Sequence, residues 1–221
     1  MNQRLSYSEA APAVSSTVAF SRDQNCLALQ ISKKRAPVYT RVGIVVLAIL
    51  ALGQPAKPQA KNSFDGFALV DKSGNTRKPT DYRDLYQTLG TYLVLDPKGG
   101  DQMHLTYASP GAADYYRRNK KFADGTVLVK EVFGTDHAQM TTGDAHWAKD
   151  TKVWFVLIKD SKDRYPHNPL WGDGWGWALF KSDAPNKQVA TDYKKDCLGC
   201  HIPAKADDWI YVKGYPVLHG E

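Results

Sequence analysis

Two cysteines and a histidine near the C-terminus have a spacing that supports a specific chemistry. Cys197, Cys200 and His201 form the pattern Cys-x-x-Cys-His. Thiols three positions apart can reach the two vinyl groups on one edge of a porphyrin, and the histidine that follows can ligate the iron. This pattern is the attachment motif of a c-type haem. It predicts one covalently bound haem c, with His201 as the proximal ligand of the iron.

Two other uses of the cysteine pair are less consistent with the sequence. A structural zinc site needs four protein ligands, and the sequence has no second cysteine pair. A redox-active or structural disulfide needs no following histidine and usually lies near a βαβ pattern, which is not found here. The third cysteine, Cys26, lies in the N-terminal region, so no thiol is left for a further structural disulfide.

A basic segment followed by an apolar one precedes the main part of the chain. Four basic residues between positions 33 and 41 lead into an eleven-residue apolar run, residues 42–52. A membrane-spanning helix needs about 20 apolar residues, so this run predicts the core of a signal peptide. We expect cleavage after Gly53 and export to the periplasm, with an uncleaved anchor as the alternative. Because the basic region starts late, translation from near Val38 is a further hypothesis.

Composition divides the chain into three parts. Residues 1–53 are the N-terminal extension, residues 54–63 a linker rich in proline and lysine, and residues 64–221 the predicted haem domain. The extension holds six basic and two acidic residues, whereas the remainder holds 23 basic and 21 acidic residues. This balance, without an arginine-rich helix or a basic stripe, argues against nucleic acid as a partner.

The haem domain has the pattern of a single α+β domain with a mainly antiparallel sheet. Its β-branched and apolar runs predict strands at residues 91–95, 102–107, 126–133, 153–158 and 175–181. Capping residues predict helices at residues 81–89, from Ser109 onward, and from Thr191 through the haem motif. The polar stretches 134–151 and 160–174 are predicted to be loops. Three tryptophans, at positions 171, 175 and 177, are expected in the core rather than on a cofactor wall.

This pattern differs from that of small cytochromes that only carry electrons. Those proteins are usually helical, have the haem motif near the N-terminus, and use a methionine as the sixth iron ligand. Here the motif is near the C-terminus, and the methionines are Met1, Met103 and Met140, all far upstream of it. A methionine ligand is therefore unsupported, and a plain electron carrier ranks last among the functions considered.

Several short motifs resemble one known family. They are F-A-D-G-T-V-L-V-K-E at 122–131, K-D-S-K at 159–162, W-A-L-F at 177–180, D-C-L-G-C-H at 196–201 and Y-P-V-L at 215–218, with Y-A-S-P at 107–110 before them. Together they resemble the cytochrome P-460 family, which also includes the cytochromes c′-beta. The resemblance extends from about residue 64 to the C-terminus.

The resemblance implies a sheet flanked by helices, a homodimer, and a haem c with five-coordinate iron bound by His201. Cytochromes P-460 have a covalent bond from a lysine to the porphyrin edge, oxidise hydroxylamine, and pass electrons to a soluble cytochrome. The matching lysine is Lys130. Cytochromes c′-beta lack the bond and bind nitric oxide or carbon monoxide in an apolar pocket.

Strand alternation gives an independent view of Lys130. Residues 126, 128, 130 and 132 share one face of the predicted strand, so Lys130 lies between Leu128 and Val132. A lysine there is either a solvated edge residue or a cation on an apolar face. With the resemblance, we expect the haem cross-link, because a desolvated lysine becomes reactive.

Two further positions of the resemblance bear on catalysis. The hydroxylamine-oxidising members use a distal carboxylate as a base, and residues 159–162 align Phe155 with it. That substitution weakens the enzyme hypothesis and favours a dry pocket for a small neutral gas. A distal arginine aligns with His104, which is either a proton shuttle or an ordinary strand histidine. We expect hydroxylamine oxidation first and nitric oxide or carbon monoxide binding without turnover as the alternative.

Overall fold

The computed structural model describes residues 64–220. The predicted signal peptide or anchor and the linker lie outside these residues, so the three-part division of the chain stays a prediction. Within residues 64–220, no helix has both the length and the apolar character needed to cross a bilayer.

An antiparallel sheet forms the centre of the described residues, which confirms the predicted α+β class. Its seven strands are β1 (Gln87–Val94), β2 (Gln102–Ala108), β3 (Val127–Met140), β4 (Gly143–Lys159), β5 (Trp171–Gly172), β6 (Trp175–Lys181) and β7 (Ala184–Gln188). The strand order is β1-β2-β3-β4-β6-β5, with β7 also paired to β6. Each of the five strands predicted from the sequence corresponds to part of one of these strands.

The predicted loop at residues 134–151 is wrong. These residues continue β3 and β4 into a long hairpin that turns between Met140 and Gly143. The polar residues on this part of the hairpin are largely exposed on both faces, so no apolar alternation marked them as a strand.

Among residues 64–220, four short α-helices accompany the sheet: α1 (Tyr82–Leu85), α2 (Ala112–Asn119), α3 (Tyr193–Asp196) and α4 (Leu198–His201). The predicted helix 81–89 is too long, because the chain enters β1 after Tyr86. Helix α2 begins after Gly111, whose positive φ of 76° replaces the predicted serine cap. Asp192, not Thr191, caps α3 by accepting a hydrogen bond from the backbone of Lys194.

The two faces of the sheet are covered differently. Leu128 and Leu157 pack in one buried cluster with Tyr193 and Tyr215 of the C-terminal segment, residues 193–218. The intervening residues of the same strands pack in a second cluster on the opposite face, together with the aromatic side chains around α1. Because side chains alternate, Lys130 projects on the same face as Leu128, toward the C-terminal segment.

Candidate haem site

A cavity of about 650 Å³ is lined by the sheet and the C-terminal segment. All six predicted site residues line it: Lys130, His104, Phe155, Cys197, Cys200 and His201. They come from three neighbouring strands and from α4 with the residue before it. The structure thus brings together side chains that are far apart in the sequence. The largest separation, 97 positions, is between His104 and His201. Their chemical roles remain predictions.

The cysteine pair lies where α3 passes into α4. Cys197 ends α3 with a backbone that is not helical, and α4 carries the rest of the motif. Both thiols are free; Cys197 is buried and Cys200 is exposed. Burial raises the pKa of the Cys197 thiol to about 11. The Tyr211 hydroxyl donates a hydrogen bond of 2.5 Å to the Cys200 carbonyl and holds the end of the motif in place.

The imidazole of His201 is oriented for metal binding. Its Nδ1 is 2.7 Å from the carbonyl oxygen of Trp209. A carbonyl only accepts, so Nδ1 carries the hydrogen and Nε2 keeps its lone pair. Burial lowers the pKa of His201, which favours the neutral ring. Trp177 packs edge-on against the ring, with centroids 4.9 Å apart. Such outer contacts fix the tautomer and orientation of a metal-ligating histidine.

Lys130 and Phe155 are directly opposite each other on β3 and β4. The Lys130 ammonium nitrogen lies 4.4 Å from the centroid of the Phe155 ring. Burial lowers the pKa of Lys130, because few polar groups replace its hydration. Strand alternation left two alternatives for Lys130, a solvated edge residue or a cation on an apolar face. The structure favours the second, because the lysine faces the cavity from an apolar surface.

His104 on β2 also faces the cavity. Its Nε2 is 3.0 Å from the side-chain oxygen of Gln102. Burial, followed by the positive charge of Lys130, lowers the pKa of His104 to about 4. The ring is consequently neutral at neutral pH and can accept a proton.

Sequence reasoning missed the tyrosines of the cavity. Tyr92, Tyr211 and Tyr215 line it, and the first and third of these pack edge-to-face. The family motif at 215–218 includes Tyr215, but no sequence signal placed any of the three at the cavity, because their role follows from how the C-terminal segment lies on β1. The tryptophan prediction is only partly correct: Trp177 is buried and also lines the cavity, whereas Trp171 and Trp175 belong to the core alone.

These residues fit a haem c. The cavity has apolar walls, two free thiols at the attachment spacing, and an imidazole whose second nitrogen is already hydrogen-bonded. Met103 and Met140 are not among the described residues that line it, so the cavity offers no methionine as a sixth ligand. Cys197 and Cys200 would hold the porphyrin edge, and His201 would ligate the iron.

An antiparallel sheet carrying a Cys-x-x-Cys-His helix against such a cavity defines a haem-binding cytochrome. The family model for Cytochrome P460 matches residues 79–212, which is more than half of the chain. The chain therefore belongs to the cytochrome P-460 family, as the sequence motifs predicted. No curated protein gives a significant match to it.

Proposed function

We propose that this protein oxidises hydroxylamine to nitrogen oxides at a single covalently attached haem c. The observation that carries the proposal is the position of Lys130, which is partly buried on the wall of the haem cavity and lies opposite Phe155. Within the family, the lysine–porphyrin bond accompanies hydroxylamine oxidation, and Lys130 occupies the matching position. Burial lowers the pKa of its amine, which increases the fraction of the nucleophilic free base.

The side chains of the cavity would divide the work as follows. When bound, a haem held by Cys197, Cys200 and His201 would supply the redox chemistry that hydroxylamine oxidation needs. His104 is the candidate base, because its neutral ring can accept a proton from an N–OH group. Phe155 and Val153 exclude water from the reacting side. Lys130 restrains the porphyrin edge.

A second function is favoured by one observation. The only acidic side chain among the described cavity residues is Asp196, and it accepts hydrogen bonds from the backbone amides of Thr191 and Asp192. These bonds lower the pKa of Asp196 and tie its carboxylate to the backbone. With Phe155 at the position of the family's carboxylate, the cavity also suits binding of nitric oxide or carbon monoxide without turnover.

Mass spectrometry of the haem-loaded protein after proteolysis tests the proposal. We expect the peptide with Lys130 to stay joined through haem to the peptide with Cys197 and Cys200. Lys130→Arg keeps the charge but lacks the amine, so it should lose this bond and most hydroxylamine oxidation. The matched control is Lys181→Arg, since Lys181 is an exposed strand lysine.

The two functions differ in measurable ways. A cross-linked haem with hydroxylamine-dependent reduction of an added cytochrome supports the enzyme. The gas-binding function would replace the enzyme hypothesis if the haem is held by the cysteines alone, binds nitric oxide tightly and shows no turnover.

The cellular setting belongs to the same proposal. The apolar run at 42–52 supports export to the periplasm, where c-type haem is attached. A soluble cytochrome would accept the electrons, and the family resemblance supports a homodimer. Fractionation of the native cells tests the export, and light scattering of the purified protein tests the homodimer.

A further inference from the structure

The outer end of the β3–β4 hairpin carries a cluster of polar side chains that lies outside the haem cavity. His137 lies directly opposite His146, and Gln139 lies opposite Asp144. Because side chains alternate along a strand, all four project from the same face of the hairpin. Two imidazoles and one carboxylate are therefore neighbours, and none of them lines the haem cavity.

The distances within this group are close to those of a metal site. His137 Nδ1 is 3.1 Å from one carboxylate oxygen of Asp144, and His146 Nε2 is 3.6 Å from the other. One potential ligand atom from each of the three residues lies within 4.8 Å of the other two. Ligand atoms of a tetrahedral zinc site are about 3.3 Å apart, so closure requires only movements of about 1 Å.

Burial separates a fixed ligand from two adjustable ones. The His146 side chain is 17% exposed, and its Nδ1 is buried without a hydrogen-bond partner among the described residues. His137 and Asp144 are 61% and 55% exposed and are free to turn. The two rings are nearly parallel, at 13°, so rotation of the exposed His137 is the movement that would make the lone pairs converge.

We propose that His137, Asp144 and His146 bind one divalent transition-metal ion per chain. Imidazole nitrogens favour zinc, copper and nickel, whereas calcium and magnesium require mainly oxygen ligands. Three protein ligands leave one position of a tetrahedral zinc ion for water. The ion would join the two strands near the end of the hairpin, independently of the haem.

Calorimetric titration with zinc chloride near neutral pH tests the site. The haem-loaded full-length protein is used without an affinity tag, and we expect one zinc ion per chain. His137→Ala and His146→Ala should each weaken binding by about tenfold or more, which corresponds to about 1.4 kcal/mol. His167→Ala is the matched control, because His167 lies in a loop outside the group, and it should leave zinc affinity unchanged.

Hydrogen exchange on the unaltered protein gives a second readout. Zinc should slow amide exchange at residues 136–147, because an ion that binds only the closed hairpin stabilises it by mass action. Three results would overturn the site: no binding at about 1 mM zinc, unchanged affinity in the double variant His137→Ala/His146→Ala, or half an ion per chain. The last result would mean a site shared between two copies.

Discussion

Lys130 is the one cation on an otherwise apolar part of the β3 face that lines the cavity. Its neighbours Leu128 and Val132 are almost fully buried, and its nitrogen contacts the face of the Phe155 ring. A cation–π contact compensates for only part of the lost hydration, with about 1–2 kcal/mol. Burial therefore increases the fraction of free amine, which is the form that reacts.

His104 carries a prediction at the same scale. Replacing it with alanine should reduce kcat/KM for hydroxylamine by about 100-fold, the lower end of general-base contributions, because a base with a pKa of about 4 is weak at neutral pH. A base acts when unprotonated, so activity of the unaltered protein should fall as pH drops through about 4, the pKa of His104. The variant should lack this acidic limb. Steady-state rates across the pH range measure both effects.

The control for His104 is His167→Ala, a loop histidine outside the cavity. If His104→Ala retains full kcat/KM and the same pH profile, His104 is an ordinary strand histidine. That outcome would leave the base of the proposed reaction unassigned.

At the scale of elements, a buried carboxylate holds α1 on the sheet. Glu131 on β3 is fully buried and accepts hydrogen bonds from the hydroxyls of Tyr82 and Thr151, at 2.7 and 2.6 Å, and from the guanidinium of Arg83. The indole of Trp154 in turn donates to the Tyr82 hydroxyl at 2.8 Å. A short helix of four residues has little stability of its own, so this network positions it.

Glu131→Gln should therefore lower the free energy of unfolding by about 2–3 kcal/mol, since hydrogen bonds to a charged group are lost. Burial raises the pKa of Glu131, but the bonds from Arg83, Thr151 and Tyr82 outweigh it, and the net pKa lies below its ordinary value of 4.5. The contribution is thus present above pH 4.5 and is lost as pH falls through the lower folded-state pKa.

Denaturant unfolding at neutral and acidic pH checks this prediction. The difference between Glu131→Gln and the unaltered protein should shrink on acidification. Asp84→Asn, an exposed carboxylate on the same helix, is the control and should change stability little. A difference that is constant with pH would contradict the role given to the ionised carboxylate.

The elements show which features a sequence can encode locally. The central parts of β3 and β4 were predictable because β-branched residues mark a strand buried on both faces. The helix at 81–89 was overextended because Leu85 and Leu89 have helical spacing, yet Leu89 is 1% exposed within β1 and Leu85 is 59% exposed. Tertiary packing against the core overrides the local preference there.

The residues of the candidate haem site, like the strands and helices, were only partly predictable from the sequence. Spacing alone identified Cys197, Cys200 and His201, and the family resemblance aligned Lys130 and Phe155 before their pairing was seen. The opposite positions of these last two follow from strand register, which long-range contacts set. The carbonyl of Trp209 as partner of His201 had no sequence signal, since every residue has such a group.

At the scale of the whole molecule, the C-terminal segment must be fixed on the sheet for the cavity to keep its shape. The Tyr92 hydroxyl on β1 accepts from the Gly214 backbone at 2.6 Å and donates to the Tyr211 carbonyl at 2.9 Å. At the other end, Lys159 of β4 forms an ion pair of 2.5 Å with Asp208, and both side chains are 9% exposed. Asp208 also accepts a 3.0 Å bond from the Phe122 amide.

The Lys159–Asp208 pair provides the prediction at this scale. Asp208→Asn leaves the Lys159 charge buried without its partner, which should lower the free energy of unfolding by about 3 kcal/mol. The double variant Lys159→Met/Asp208→Asn removes both charges and should recover most of that loss. Denaturant unfolding of the haem-loaded proteins measures the free energy of unfolding of the unaltered protein and of both variants. Asp207→Asn, at the neighbouring position, is the control.

The haem absorption can show whether the Lys159–Asp208 ion pair stabilises only its own surroundings or also the shape of the cavity. Lys159 also lies 4.8 Å from the centroid of the Trp175 ring, whose indole donates to the Asp208 carbonyl at 3.0 Å. Loosening this contact should release the segment that carries Trp209, the hydrogen-bond partner of His201. We therefore expect Asp208→Asn to shift the haem absorption at denaturant concentrations below the main transition. Equal stability and an unchanged spectrum in Asp208→Asn and Asp207→Asn would show that the pair does not position the segment.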